Sequence, residues 1–176
     1  DLYGAVRPVR NIDGVTSRYK EVDLIVVREN TEGLYSGIEN EISSGVVTSL
    51  KVVTEKACRR IAQFAIDLAV SRGRRRISVF HKANIMKLGD GLFIKCAREE
   101  FEKRAEPGLE YEELIIDAAC MRLVQDPSQF DIILVENLYG DVLSDLCAGM
   151  IGGLGVVPGA NFGKECAVFE AVHGSA

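Results

Sequence analysis

Apolar residues recur along this chain with two periods, and the change from one to the other divides it into strands and helices. Val22 to Arg28 is a short apolar run suited to a buried strand, and so are Ile77 to Phe80, Tyr111 to Ile116 and Asp131 to Glu136. Ala57, Ile61, Phe64, Ala65 and Leu68 fall on one helical face, with Thr54 as the cap and Gly73 as the stop. Gly91 to Ala105 reads as a helix with charge pairs such as Glu99 and Lys103 at helical spacing. Ala118 to Gln125 is a helix that must end before Pro127, and Asp141 to Ile151 is the last. Strands alternating with helices predict an α/β fold with a largely parallel sheet covered on both faces.

One stretch breaks the rhythm. Between Ser36 and Val53, short β-branched runs are interrupted by Asn40 and by the turn-like Ser43-Ser44-Gly45, which predicts a hairpin. A hairpin between a strand and a helix is either an arm that pairs with another subunit or a plain surface feature.

Composition narrows the class. The chain has 176 residues, 47% hydrophobic and 27% charged, enough for one domain or a domain with a piece of a second. A net charge of −5 argues against nucleic acid as the main partner. The basic cluster from Arg72 to Arg76 follows a predicted helix and reads as cations at its C-terminal dipole. Cys58, Cys96, Cys120, Cys147 and Cys166 form no C-x-x-C pair and read as reduced, buried thiols of a reducing compartment. No apolar run has the length of a membrane helix and no signal peptide is visible, so a soluble intracellular protein without a membrane partner is expected. The chain starts at Asp1 rather than Met and stops at His173-Gly174-Ser175-Ala176 without a closing helix, which suggests a fragment of a larger enzyme.

Three aspartates stand where a predicted strand gives way to a helix: Asp117, Asp141 and Asp145. Ligands of open α/β sheets gather at such carboxyl ends. Asp141 and Asp145 share a helix face opposite Leu143, Cys147 and Met150. Two like charges at that spacing cost a helix roughly 0.2–0.5 kcal/mol, which a cation would reverse. Oxygen-only ligands favour Mg²⁺ or Mn²⁺ over zinc. On spacing alone a solvated face with Asp141 as a cap is the commoner case. Arg7, Arg28, Lys82 and Asn84 also lie beside predicted strands. Arginine forks bind carboxylates, and a lysine beside a metal can act as a general base. Together these groups describe a site for a polycarboxylate. A dinucleotide fingerprint is absent: Gly152 to Gly159 follows a helix and carries Pro158 where the third glycine would fall.

Six blocks then carry a resemblance. They are Asp1-Leu2-Tyr3 with Val6-Arg7-Pro8; Arg28-Glu29-Asn30-Thr31-Glu32-Gly33-Leu34-Tyr35-Ser36-Gly37; His81-Lys82-Ala83-Asn84-Ile85-Met86-Lys87; Val124 to Asp131; Asn137-Leu138-Tyr139-Gly140-Asp141-Val142-Leu143-Ser144-Asp145; and Phe169 to Gly174. In this order they resemble the metal-dependent decarboxylating dehydrogenases that include isocitrate and isopropylmalate dehydrogenases. The Arg28 block reads R-E-N-T-E-G, as in the NAD-dependent isocitrate dehydrogenases, rather than R-E-L-T-G-G.

The resemblance implies a fold that is not a Rossmann fold. Residues 1–150 would form the smaller substrate- and metal-binding, dimer-forming domain, with an arm at about 36–53, and residues 151–176 would begin the return into a larger cofactor-binding domain. It implies that Arg7 and Arg28 bind substrate carboxylates, that Lys82 takes the hydroxyl proton, and that Tyr35 protonates carbon after carbon dioxide leaves. Asn84 would lie near substrate and nicotinamide, and His173 and Gly174 near the adenosine of NAD, with NADP still open. Asp117, Asp141 and Asp145 would hold Mg²⁺ or Mn²⁺. Lys82 and Asp117 would serve the neighbouring subunit's site, so a homo- or hetero-dimer or larger oligomer is implied, in a prokaryotic cytoplasm or a mitochondrial matrix. Isopropylmalate, homoisocitrate or tartrate are alternative substrates, and a non-catalytic regulatory subunit is the alternative role. The isolated fragment is expected to be inactive.

Overall fold

The computed structural model describes residues 1–104 and 106–172. Nine strands and four α-helices follow one another among them. They are β1 Gly4–Arg10, β2 Asp23–Glu29, β3 Gly33–Ser43, β4 Val46–Val52, α1 Glu55–Ser71, β5 Arg76–His81, α2 Gly89–Arg104, β6 Glu110–Ile115, α3 Ile116–Gln125, β7 Ile132–Val135, α4 Asn137–Ile151, β8 Pro158–Phe162 and β9 Ala167–Ala171. Seven strands form one sheet in the order β6-β5-β7-β2-β1-β8-β9, and β3 with β4 form a separate hairpin.

The sheet is mixed rather than largely parallel. β6, β5, β7 and β2 run parallel, whereas β1 is antiparallel to both β2 and β8, and β9 is antiparallel to β8. The cause is in the connections. β5, β6 and β7 are joined through helices, as parallel neighbours require, but β1 reaches β2 and β8 reaches β9 through loops alone.

Alternate residues of each central strand supply the two faces. Ile25, Val27, Ile77, Val79, Ile132 and Leu134 pack under α1 and α2 with Ile61, Ala65, Phe93 and Cys96. Leu24, Val26, Phe80, Ile133 and Val135 pack under α3 and α4 with Leu123, Leu143, Cys147 and Ile151. Strands buried on both faces read as unbroken apolar runs, which is why periodicity found them.

The Thr54 hydroxyl accepts from the Ala57 amide and caps α1. The α4 helix starts four residues earlier than the apolar pattern predicts. Glu136 caps it by accepting from the Leu138 and Tyr139 amides at 3.3 and 3.0 Å, so Asn137 to Gly140 are its first turn and not a loop. Three further expectations are corrected. Of the arginines after α1, Arg72 is the C-cap itself, but Arg74 pairs with Asp23 and Asp131, and Arg76 with Glu110, so these two are held by carboxylates. Lys103 pairs with Glu100, while Glu99 pairs with Arg59 and Lys95. Cys58, Cys96 and Cys147 are buried free thiols, but Cys120 is half-buried and Cys166 exposed. No described helix is long and apolar enough to cross a membrane.

Candidate active site

The four parallel strands end in register. Arg28 of β2 and Phe80 of β5 both lie beside Val135 of β7, and His81 lies beside Ile115 of β6. The chain therefore releases Arg28, Lys82, Asp117 and the start of α4 along one edge of the sheet. The position of each depends on strand order.

The first cluster is built on β2 and α4. Arg28 Nε donates to Asn137 Oδ1 at 2.9 Å, and its Nη1 donates to and ion-pairs with Asp141. Asn137 in turn donates to the Glu32 carbonyl at 2.8 Å, tying the start of the arm to α4. Gly140 makes this arrangement possible, because a Cβ there would meet Arg28 Cγ at 2.6 Å. Gly33, at φ +85°, opens the arm beside Glu136 in a left-handed conformation that favours glycine. Tyr35 on β3 donates to the second Asp141 oxygen, with its ring 5.2 Å from the Arg28 guanidinium. The hydrogen bond to Asp141, helped by partial desolvation, raises the Tyr35 phenol above its ordinary value. Tyr35 is thus held as an acid at neutral pH.

Arg7 is buried on β1, where its Nη1 donates to the Val6 and Ala160 carbonyls at 3.3 and 3.4 Å. Burial lowers its pKa; Glu170 opposes that, Arg28 adds to it, and Asp141 and Asp145 also oppose. Asp145 lies one turn beyond Asp141 and is exposed.

The second cluster is Lys82 with Asp117. Lys82 Nζ stands 2.5 Å from Asp117 Oδ1, in the first turn of α3. The lysine hydrogen bond, helped by a backbone one, lowers the Asp117 carboxyl below its usual value. Asn84 is exposed two residues beyond Lys82. Buried His81 accepts the Ala83 amide at Nδ1, 3.0 Å, and burial lowers its imidazole pKa. His173 and Gly174 lie outside the described residues.

The structure thus brings together Arg28, Tyr35 and Asp141, with Arg7 and Asp145 nearby, and places Lys82 and Asp117 apart from them. β7, which leads into Asp141, is two strands from β6, which leads into Asp117. That separation is about 10 Å, whereas a magnesium–oxygen bond is about 2.1 Å. Among the described residues no three acidic, histidine or cysteine side chains gather as a metal cage. The donor chemistry of Asp141 and Asp145 suits a hard divalent cation, which is commonly bound through one or two carboxylates with substrate and water completing the shell. Among the described residues one chain offers that much and no third carboxylate beside the pair.

Asn137, Lys51, Asp90 and Glu136 were not singled out from the sequence. Asn137 had a signal, since it opens the block that carries Asp141. The other three meet only through tertiary structure.

Comparison with known proteins gives the family. The family described as isocitrate/isopropylmalate dehydrogenase matches residues 1–176. The mitochondrial isocitrate dehydrogenase (NAD) catalytic subunit 5 of Arabidopsis thaliana is 52% identical over 177 residues, covering 100% of this chain and 47% of that protein. The chloroplastic 3-isopropylmalate dehydrogenase of Solanum tuberosum is also 52% identical, over 100% of this chain and 49% of that protein. The crystal structure of isocitrate dehydrogenase from Methylococcus capsulatus superposes with a TM-score of 0.94 at 46% identity, covering 99% of this chain and 52% of that one. The chain spans about half the length of the curated relatives it matches. With the motifs in order and the fold shared, this chain belongs to the isocitrate/isopropylmalate dehydrogenase family.

Proposed function

We propose that the protein carrying this chain oxidises and decarboxylates isocitrate to 2-oxoglutarate with NAD, using Mg²⁺ or Mn²⁺. The observation that carries this reading is the meeting of Arg28, Tyr35 and Asp141 at one sheet edge with Lys82 and Asp117 farther along it. Arg28 and Arg7 bind the substrate carboxylates, Arg28 exchanging its bond to Asp141 for one to substrate. Lys82 accepts the hydroxyl proton as the carbon is oxidised. Tyr35 returns a proton to carbon after carbon dioxide departs, from a phenol that its bond to Asp141 keeps protonated. By the family resemblance Asn84, His173 and Gly174 are assigned to cofactor binding, and NAD supplies the hydride acceptor, with NADP still open. Asp141, Asp145 and a second chain's Asp117 would hold the cation, which would supply positive charge where negative charge develops on substrate oxygen.

The separation of Asp117 from Asp141 supports a site completed by a second chain. The arm supports it too: Ile38 lies opposite Leu50 on the hairpin and both are exposed, as are Ile42, Val46 and Val47. Residues 1–150 are the substrate-binding, dimer-forming unit, and 151–176 lead toward the cofactor domain; β8 and β9 extend the same sheet beside β1. A prokaryotic cytoplasm or a mitochondrial matrix is the proposed location.

Isopropylmalate is the second reading, favoured by the equal identity to the Solanum enzyme. The presence of Tyr35, Lys82 and all three aspartates together favours a catalytic over a regulatory subunit. The test is turnover by the full-length protein of isocitrate, isopropylmalate, homoisocitrate and tartrate, with NAD or NADP and Mn²⁺. Isocitrate with NAD is expected to be fastest, and a preference for isopropylmalate overturns the assignment. Mn²⁺ affinity unchanged by Asp141→Asn with Asp145→Asn would remove the metal site.

A further inference from the structure

Beside the two clusters lies a buried ion network. Lys51, at the base of the arm on β4, places Nζ 2.5 Å from Asp90 Oδ1 and 3.7 Å from Glu136 Oε2. The same ammonium sits 5.0 Å from the Tyr139 ring centroid and 3.6 Å from Met86 Sδ. The lysine side chain is 12% exposed, that of Asp90 2% and that of Glu136 10%.

Each acid has a second engagement. Asp90 Oδ2 accepts the main-chain N–H of Lys82 at 2.6 Å, and the Asp90 amide closes the intervening turn by donating to the Met86 carbonyl at 3.0 Å. The turn is fixed at its other side by the Ile85 and Met86 amides donating to the Lys82 carbonyl. Glu136 caps the helix that carries Asp141 and Asp145. One cation from the arm therefore faces two buried carboxylates, bonded to Asp90 and at longer range from Glu136. One of them pins the main chain under Lys82, and the other sets where α4 begins. Without the cation both acids are buried and mutually repulsive, and each is better placed in water than where it holds its partner.

We propose that Lys51, Asp90 and Glu136 are a buried positioning bridge that ties the base of the arm to both clusters, with Asp90 fixing the main chain of Lys82. The proposal rests on the reading of Lys82 as proton acceptor only for its kinetic consequence. The arm is then more than an interface element, since its last strand sets where the proton-accepting lysine stands.

Two readouts on the full-length protein test it. The first is amide hydrogen exchange without substrate. Asp90→Asn is expected to release protection at Lys82 to Met86 while the second half of α2 stays protected as in wild type. The second is turnover. Asp90→Asn and Lys51→Met are expected to lower kcat about 10- to 100-fold, as a displaced acceptor does. KM for the hydroxy acid should stay within about twofold because the arginines still bind it. Lys51→Arg, which keeps the charge, should recover most of the lost kcat. Where Asp90→Asn does not fold, Lys51→Met carries both readouts. Protection of Lys82 unchanged in the variants overturns the bridge, and kcat within about twofold of wild type overturns its kinetic consequence. The exchange readout needs no turnover, so failure of the enzymatic reading leaves it intact and is seen separately, as wild-type inactivity on every acid.

Discussion

The Arg28 cluster and the Lys82 cluster lie at the ends of the same parallel strands, yet they are held in different ways. Arg28 is clamped along its length, by Asn137 at Nε, by Asp141 at Nη1 and by the bare face of Gly140 under its methylenes. Lys82 is fixed at its main chain, while its side chain has only the exposed Asp117. Around the second cluster Ile85, Leu88, Ile115 and Met121 are all exposed. A group clamped by its own chain is preorganised before substrate arrives. A group anchored only at its base, on an apolar rim, is built to be completed from outside.

Mixing chains should break or sharpen that contrast most strongly. Arg28→Met and Lys82→Met are each expected to lower kcat of the full-length protein by about 10²–10⁴-fold. Co-expressed as mixed dimers, the two variants should recover about a quarter of wild-type activity, since half the dimers then hold one intact site of two. No recovery would mean that each chain completes its own site.

Gly140→Ala attacks the clamped side alone. Its Cβ would meet Arg28 Cγ at 2.6 Å and Cβ at 2.7 Å, so the arginine side chain must leave and the main chain under it must shift. We expect kcat/KM to fall about 100-fold with Lys82 unaffected, and circular dichroism to show the fold intact. Activity within about threefold of wild type would show that the pose of Arg28 is not needed.

Two smaller effects lie outside both clusters and calibrate them. Thr54→Ala removes the α1 cap and should cost about 1 kcal/mol in urea unfolding. Glu100 is buried between α1 and α2; burial alone would raise its carboxyl, but hydrogen bonds from Gln63 and Arg59 and the charge of Lys103 outweigh it and lower the pKa. A lowered folded pKa adds stability above the unfolded value of about 4.3, and this is lost as pH falls through the folded one. Glu100→Gln should therefore lower stability by a constant amount at neutral and alkaline pH and flatten the acid side of the stability profile.

Much of this molecule is legible in its sequence, for identifiable reasons. The central strands are apolar on both faces and Thr54 is a standard cap, so pattern alone locates β2, β5, β7 and α1. The start of α4 is not legible, because a glutamate seldom caps a helix and Gly140 looks like a turn until Arg28 is seen lying across it. The three aspartates are visible as candidates, but their separation is set by strand order, which puts β6 at the sheet edge and beyond reach of sequence spacing. Lys51 is 39 residues from Asp90 and lies in an arm whose pattern shows only a hairpin. Its pairing is a product of the fold.

The three-way contact of Lys51 with Asp90 and Glu136 also constrains how this sequence can change with time. Replacing Lys51 alone leaves two carboxylates in the interior without their cation, at a cost of about 3–5 kcal/mol. That is a large part of the 5–15 kcal/mol that holds a typical domain together. A neutral trio of similar volume could be just as stable, yet a path to it by single steps that begins at Lys51 passes through a poorly folded ancestor. Electrostatics, independently of any demand of the reaction, makes these positions drift together or stay as they are.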